Sequence, residues 1–338
     1  MLPNASSVAA AEVADKLRAA FETPFHVDGI ALDVEASVGV VLSGEHGDDT
    51  ATLLQRADIA MYVAKTQNLG VAAYDLSIDG HSPAKLALLG ELRRGLDRGE
   101  LILHYQPKVN ISTGKVTGAE ALVRWQHPDG GLIFPDDFVP LAEHTGLIGP
   151  LTSYVLDAAL TQARSWLDAG HPLTISVNLS ARDLLDEHLP EQVSDLLTAH
   201  GVPSRLLELE VTESAIMTEP VRAQRLLERL AALGIRISID DFGAGYTSLA
   251  HLKTLPVSEL KIDRSFILTM NRDRSNALIV RSVIDLGHNL GLSIVAEGVE
   301  TEEALTALAS FGCDTAQGYH LSRPISADVF STWRAARR

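Results

Sequence analysis

The 338 residues contain a single cysteine, Cys313. One thiol excludes any disulfide within the chain and reads as a small core residue in a reducing compartment. Basic residues are scarce: 28 Lys and Arg stand against 44 Asp and Glu, for a formal net charge of −16. Without a basic surface the chain lacks what phosphate-backbone contacts require, which excludes general nucleic-acid binding. A small phosphate ligand stays compatible with this charge if bound cations reverse the local field. No apolar stretch approaches the roughly 20 residues of a membrane helix. The N-terminus lacks the basic region and apolar run of a secretory signal. The expectation is a cytoplasmic chain with no membrane segment of its own. Biased tracts are also absent, and 46% hydrophobic with 21% charged residues suits a globular protein.

What is present divides in two. The length exceeds one ordinary domain and suits a large domain plus a smaller piece. Residues 1–78 form one unit. Val8–Phe21 reads as a helix and Ile30–Leu42 as a strand. Thr50–Thr66 reads as a helix with Leu53, Leu54, Ala57, Ala60, Met61 and Ala64 at helical spacing. That is too few strands to close a core alone. Ser77, Asp79, Gly80, Ser82 and Pro83 mark a boundary. Residues 79–90 are read as a linker and the start of a connecting helix, Ala84–Arg98, and residues 91–336 as the large domain.

In that domain, short apolar runs recur at Leu101–Tyr105, Gly118–Trp125, Leu173–Leu179, Leu206–Val211, Arg236–Ile239, Glu259–Ile262, Ser293–Ala296 and Ala316–Leu321. Helical stretches separate most of them: Leu151–Ala169, Pro190–His200, Pro220–Leu233, Asn276–Leu290 and Thr301–Phe311. Eight strands with helical crossovers over about 240 residues match an α/β fold of the TIM (β/α)8 barrel type. The first two strands leave no room for a helix between them, so that corner departs from the regular plan. An open doubly wound sheet is the other arrangement. The polar residues at the strand ends favour the barrel.

Strand two carries Glu120 and Arg124, strand three ends at Asn178, and strand four ends at Glu210 and Glu213. Strand five ends at Asp240 and Asp241, strand six carries Lys261 and Asp263, strand seven ends at Glu297 and Glu300, and strand eight opens with Gln317. In a barrel these ends converge on the face where catalysis sits. Glu120, Glu210, Asp240, Asp241 and Glu297 would place five negative charges around one cavity, and Lys261 and Arg124 offset two of them. The excess would raise some pKa values sharply or force the chain apart, and two divalent cations resolve it. Carboxylates and the Asn178 amide oxygen are hard donors, suited to Mg²⁺ or Mn²⁺.

Neighbours on a strand point to opposite faces. Asp240 and Asp241 therefore serve together only if Asp241 lies past the strand end, where Gly243 and Gly245 favour a sharp turn. Such a pair can touch two metals about 3.5–4 Å apart, the spacing used for in-line phosphoester displacement. Each residue alone has a plainer reading: a helix cap for Asn178, a snorkelling side chain for Lys261, a turn for Asp240 to Gly243. Their register on successive strands argues for a site.

These residues resemble those of the EAL domain family. The naming motif stands as Glu120-Ala121-Leu122-Val123-Arg124-Trp125. With it come Tyr105-Gln106-Pro107, Asn178, Glu210 to Glu213, Asp240 to Tyr246, Lys261-Ile262-Asp263, Glu297 to Glu300 and Gln317-Gly318-Tyr319. The resemblance covers residues 84–336. It implies a modified TIM barrel with an antiparallel first strand, and hydrolysis of cyclic di-GMP to linear pGpG with two Mg²⁺ or Mn²⁺ ions. By motif position it implies Glu120, Asn178, Glu210, Asp240, Asp241 and Glu297 as metal ligands. The catalytic group it implies is Lys261, Glu120, Glu213 and Glu300. In that group Lys261 holds or deprotonates the attacking water, and Glu213 steadies the loop after strand five. Gln106, Arg124, Asp263 and Gln317 are implied substrate contacts, with Arg124 on a phosphate that its fork suits. Asp263 is alternatively a residue that orients Lys261, or a plain surface group.

Some members of the family have lost catalysis and serve as receptors, marked by missing ligands or a degenerate loop after strand five. Neither mark is seen; Ala244 and Thr247 replace a common Thr and Ser, which are mild changes. An active phosphodiesterase is the expectation and a catalytically silent cyclic di-GMP receptor the alternative. An unrelated barrel enzyme acting on sugar phosphates rests on fold analogy alone. The family's barrels often pair, which implies a possible homodimer.

The N-terminal unit resembles the C-terminal half of a GGDEF domain, through Ala36 to Val40, Leu53 to Lys65 and Tyr74. The Gly-Gly-Asp-Glu-Phe signature is absent. In that family it carries the metal and GTP contacts, so no synthesis of cyclic di-GMP is expected. A half domain should expose apolar surface.

Overall fold

The structure, a computed structural model, describes residues 7–19, 21, 25–27, 30–32, 36–66, 69–75, 83–243 and 252–337. The chain divides into two compact units, Met1–Gly90 and Glu91–Arg338.

The first unit holds α1 (Ser7–Ala19), β1 (Phe25–Val27), β2 (Ile30–Leu32), β3 (Val38–Val40), α2 (Thr50–Thr66) and β4 (Val71–Ala73). The strand expected over Ile30–Leu42 is two strands with different partners. Ile30–Leu32 folds back on β1 as an antiparallel pair, and Val38–Val40 lies parallel to β4. Ile59, Ala60 and Tyr74 form a small core with Val41 packed on it. A Cβ on Gly39 would fall 2.1 Å from the Ala57 carbonyl oxygen, so only glycine lets β3 lie this close to α2. The boundary residues Ser77 to Ser82 lie outside the described residues. The connecting helix α3 spans Pro83–Arg98.

The second unit begins with β5 (Leu101–Asn110), β6 (Val116–His127), β7 (Gly131–Ile133), α4 (Pro135–Thr145), α5 (Ile148–Asp168) and β8 (Thr174–Leu179). It continues with α6 (Leu189–His200), β9 (Leu207–Thr212), α7 (Glu213–Thr218), α8 (Pro220–Ala232), β10 (Arg236–Phe242) and β11 (Glu259–Ile262). Last come α9 (Arg264–Thr269), α10 (Arg274–Asn289), β12 (Ser293–Ala296), α11 (Glu302–Phe311), β13 (Thr315–Ala316) and α12 (Ala327–Ala335). The strands run β5-β13-β12-β11-β10-β9-β8-β6, and pairing of β5 with β6 closes the ring; β7 is a short arm on β6. From β6 through β8 to β13 all neighbours are parallel, while β5 is antiparallel to both β6 and β13. This is the modified TIM barrel with an antiparallel first strand.

Strand alternation explains where the core sits. Ile175, Val177, Leu207, Leu209, Ile237, Ile239, Leu260, Ile262 and Ile294 are all buried. They pack outward under helices, with α5 on β8, α8 on β10 and α10 on β11 and β12. Removing each such side chain from water contributes about 1.5–3 kcal/mol. The alternate positions, Ser176, Glu208, Glu210, Ser238, Asp240, Glu259 and Lys261, are polar and equally buried. They point into the barrel: Lys108 of β5 reaches glutamates of β9 and β11, which are not its neighbours. Barrels of this type usually fill that space with branched apolar residues.

The last strand is shorter than the run Ala316–Leu321 suggests. It ends at Ala316, and Leu321 N–H turns back to the Gly318 carbonyl. A Cβ on Gly318 would fall 2.2 Å from the Val299 backbone nitrogen and oxygen. The chain therefore presses flat on the loop after β12 instead of continuing as a strand. Among the described residues no helix is long and apolar enough to cross a membrane. Cys313 is free and buried, and burial pushes its thiol up to about 12.

Candidate active site

Strand β10 keeps its ladder with β9 through Asp240, but its register with β11 slips between Ile239 and Phe242. Asp241 absorbs the slip at φ 54°, in the left-handed region that Asp tolerates better than most side chains. Its N–H donates to Asp240 Oδ1 at 2.9 Å. As a result, carboxylate oxygens of Asp240, Asp241 and Glu297 lie within 4.8 Å of one another. The strand does not stop before Asp241; it runs to Phe242 with a bulge that turns both carboxylates to one place. Gly245, and the loop positions Ala244 and Thr247, lie outside the described residues.

Lys261 is the hub of the cluster, with 0% exposure. Its Nζ lies 2.5 Å from Glu210 Oε2, 2.6 Å from Glu297 Oε1, 3.0 Å from Asp240 Oδ2 and 3.8 Å from Glu120 Oε2. Glu120 is held from two further sides. Asn178 Nδ2 donates to Oε1 at 2.7 Å, and Gln317 Nε2 donates to Oε2 at 2.5 Å. Gln317 Nε2 also reaches Gln106 Oε1 at 3.1 Å, and Gln106 Nε2 donates to the Ser322 carbonyl at 3.2 Å. Glu213 opens α7, and its Oε2 accepts from Gly243 N–H at 3.3 Å, which ties α7 to the end of β10.

The electrostatics carry the mark of unneutralised acid. Burial pushes Glu297 up to about 8, with Asp240 and Glu120 adding against the pull of Lys261. Burial, then Asp240 and Asp263, push Asp241 up to about 6. Burial, with Glu210 and Asp240, also raises Glu120 against Lys261. Burial works against the charge on Lys261, but Asp240, Glu120, Glu210 and Glu297 outweigh it and hold its pKa well above the ordinary lysine value. Every donor in the cluster is an oxygen. Hard donors with excess negative charge fit a divalent cation.

Three expected residues are not among the partners of Lys261. The Arg124 guanidinium donates from Nη1 to the Val123 carbonyl at 2.7 Å and lies 5.2 Å from the centre of the Phe134 ring. It forms no close ion pair among the described residues, although Glu120 and Asp136 act on its charge through space. Asp263 caps α9 by accepting from Ser265 N–H at 2.9 Å and touches Asp241; it is not among the partners of Lys261. Glu300 is exposed in the loop after β12, outside the contacts above.

Conversely, Lys108, Glu208, Arg236 and Glu259 were not singled out from the sequence, yet they form a charged floor beneath the cluster. Their signal was the two-residue spacing of Gln106 with Lys108, Glu208 with Glu210, and Glu259 with Lys261 inside otherwise apolar runs. A cavity of about 550 Å³ opens beside Asn178. Leu122, Ile148 and Val155 give it apolar walls, and Asp136, Glu143 and Asp183 supply carboxylates.

The fold and site define a barrel protein with a carboxylate cluster able to hold a divalent cation. The chain belongs to the EAL domain family, whose pattern matches residues 89–324. Residues 1–70 match the diguanylate cyclase, GGDEF domain. The chain is 44% identical over 321 residues to the bifunctional diguanylate cyclase/cyclic di-GMP phosphodiesterase MucR of Pseudomonas aeruginosa, covering 94% of this chain and 47% of that protein. It is 39% identical over 315 residues to the cyclic di-GMP phosphodiesterase NbdA of the same organism, covering 93% of this chain and 40% of that protein. It thus spans less than half the length of these curated relatives. Among solved structures, the PaMucR phosphodiesterase in complex with c-di-GMP is 49% identical, covers 72% of this chain and 99% of that one, and superposes with a TM-score of 0.70.

Proposed function

We propose that residues 91–336 hydrolyse cyclic di-GMP to linear pGpG by in-line attack of water. The observation that carries this reading is the convergence of Asp240, Asp241 and Glu297 within 4.8 Å around the protonated Lys261. The names of the MucR and NbdA relatives supply the substrate class.

Asp240, Asp241 and Glu297, with Glu120, Glu210 and Asn178, would hold two divalent cations, Mg²⁺ or Mn²⁺. When bound, they supply positive charge to the phosphoryl oxygens and lower the pKa of water. Lys261 keeps its proton at Nζ among the carboxylates, so it orients the attacking water as a donor. The P–O3′ bond breaks as the new P–O bond forms, and the proton released by water ends on the leaving oxygen. Glu213 fixes Gly243 and through it the bulge that aims Asp241. Arg124 Nε and Gln317 Oε1 are buried without a hydrogen-bond partner. Such atoms are costly to leave unmet, and substrate phosphate and sugar would satisfy them. The cavity beside Asn178 would receive one base, with apolar walls for its faces and carboxylates for the guanine N–H edge. Asp263 would line the substrate's path beside Asp241.

The test is chromatography of cyclic di-GMP incubated with the purified chain in Mn²⁺, in Mg²⁺, in Ca²⁺ and in EDTA. Metal-dependent pGpG supports the reading. Ca²⁺ should bind and turn over poorly, being larger and looser in geometry. Bound ligand without product would select the silent receptor, and no binding would overturn both. Pairing of two copies through the barrel belongs to the same reading, and sedimentation velocity tests it.

A further inference from the structure

The lower half of the barrel interior is charged, and apart from Glu210 it has no part in the chemistry above. Lys108 sits at its centre, buried, with all three ammonium hydrogens directed at carboxylates. Its Nζ lies 2.6 Å from Glu208 Oε1, 2.7 Å from Glu210 Oε1 and 3.1 Å from Glu259 Oε1. Ser176 Oγ donates to Glu208 Oε1 at 2.7 Å. Arg236, the first residue of β10, closes the floor from the other end of the barrel. Its Nη2 is 3.3 Å from Glu259 Oε2, and its Nε is 3.1 Å from Glu208 Oε2, a charge contact off the line of a hydrogen bond. Burial works against the charge on Lys108, but Glu208, Glu210 and Glu259 together hold its pKa well above the ordinary lysine value.

Among the described residues, Glu210 is the one that belongs to both layers. Its Oε1 rests on Lys108 and its Oε2 on Lys261. The two anchors differ. Lys261 is shared among four carboxylates of the cluster, so its bonds are those a bound cation would replace. Lys108 touches none of Glu120, Asp240 or Glu297, and a cation at the cluster leaves its bonds intact. A carboxylate pinned at one oxygen has its plane set and must present the other oxygen upward. Stability does not account for this floor: well-packed apolar residues usually replace buried ion pairs at no loss, and they fill most barrels of this type.

We infer that Lys108 is a positioning residue, which pins Glu210 by one oxygen so that the other is aimed at the cation. The inference rests on the metal-dependent reading above. Lys108→Met alone would leave three carboxylates buried around one site and fail to fold for that reason. The test therefore compares Glu208→Gln/Glu259→Gln with Lys108→Met/Glu208→Gln/Glu259→Gln, two variants that differ only at position 108. Thermal melting followed by circular dichroism checks that both are folded. Free Mn²⁺ is then followed by electron paramagnetic resonance during titration, and pGpG formation is measured against Mn²⁺ concentration. The expected result is Mn²⁺ affinity about tenfold or more weaker in the triple variant, the scale for groups that orient a ligand. Its kcat should recover to within a few-fold at saturating Mn²⁺. Equal titration curves for the two variants would overturn the positioning role. Wild-type chain that takes up no Mn²⁺ would instead overturn the proposed function, and this inference with it.

Discussion

Asp240 and Asp241 are neighbours in the chain, yet their carboxylates converge with Glu297 because Asp241 leaves its ladder at φ 54°. Backbone and charge can be separated there. Asp241→Asn keeps a side chain that tolerates the left-handed region but removes a charge that burial already disfavours. Turnover at fixed Mg²⁺ should fall about 100-fold or more, while the melting temperature in EDTA stays level or rises. Asp241→Val should lose activity and also about 1–2 kcal/mol of stability, the cost of a Cβ-branched residue at positive φ. Denaturation in urea beside a turnover assay distinguishes the two.

Among the described residues, Lys261 neutralises a cluster that no other cation touches at so many points. Lys261→Met should cost the metal-free fold about 3–5 kcal/mol, because it leaves buried carboxylates facing one another. Mn²⁺ should recover much of that loss. With the metal bound, kcat should fall by about 10²–10⁴. Asp240→Ala should lose Mn²⁺ affinity as well. Equal loss of Mn²⁺ in both variants, read by calorimetry, would contradict the division between holding the cation and orienting the water.

Glu259 gives a pH dependence with a definite sign. Burial, with Glu208 and Glu210 adding, pushes its carboxyl from 4.5 up to about 7 against the pull of Lys108 and Arg236. Between those values the folded chain holds a proton that the unfolded chain releases. Its stabilising contribution is complete below 4.5 and is lost as pH rises to about 7. The difference in unfolding free energy between wild type and Glu259→Gln should therefore fall by up to about 1.4 kcal/mol per pH unit in that window. Urea titrations at successive pH values in EDTA measure it. A flat difference would show that the carboxyl does not titrate there.

Gly318 holds Gln317 against Glu120 by lying flat on Val299. Gly318→Ala would place a methyl group 2.2 Å from backbone atoms that cannot retreat. The chain must shift, at a cost of about 1–3 kcal/mol, and the Gln317–Glu120 bond moves with it. Substrate affinity should weaken more than kcat falls, which steady-state kinetics would show as a rise in KM.

Much of the site was legible because strands announce their ends. Glu120, Asn178, Glu210, Asp240, Lys261 and Glu297 each lie in or at the end of a short apolar run, and eight such runs with helical spacers suffice to suggest a closed ring. Asp241 was harder. Alternation puts it on the wrong face, and only the slip between the two ladders flanking β10 creates the bulge that corrects it. Asp263 had the right spacing to share a face with Lys261, but the strand ends at Ile262 and the side chain caps a helix instead. Arg124 counted against the acids as a charge at a strand end; its guanidinium donates to a backbone carbonyl and lies by the Phe134 ring, and Glu120 reaches it only through space.

The amino-acid order by itself determined the alternation: apolar residues at one set of strand positions, acids and lysines at the other, with the acids gathered at strand ends. It could not say that the second set would be buried too. In an isolated strand, Lys108, Glu208 and Glu259 read as the solvent face. Pairing of β5 with β6 and β13 closes the ring and takes that face out of water. Once it is dry, each charge needs a partner from across the barrel, because desolvation costs more than any single contact along the strand returns. Tertiary closure therefore chose which lysine meets which glutamate, and set Glu210 between Lys108 and Lys261.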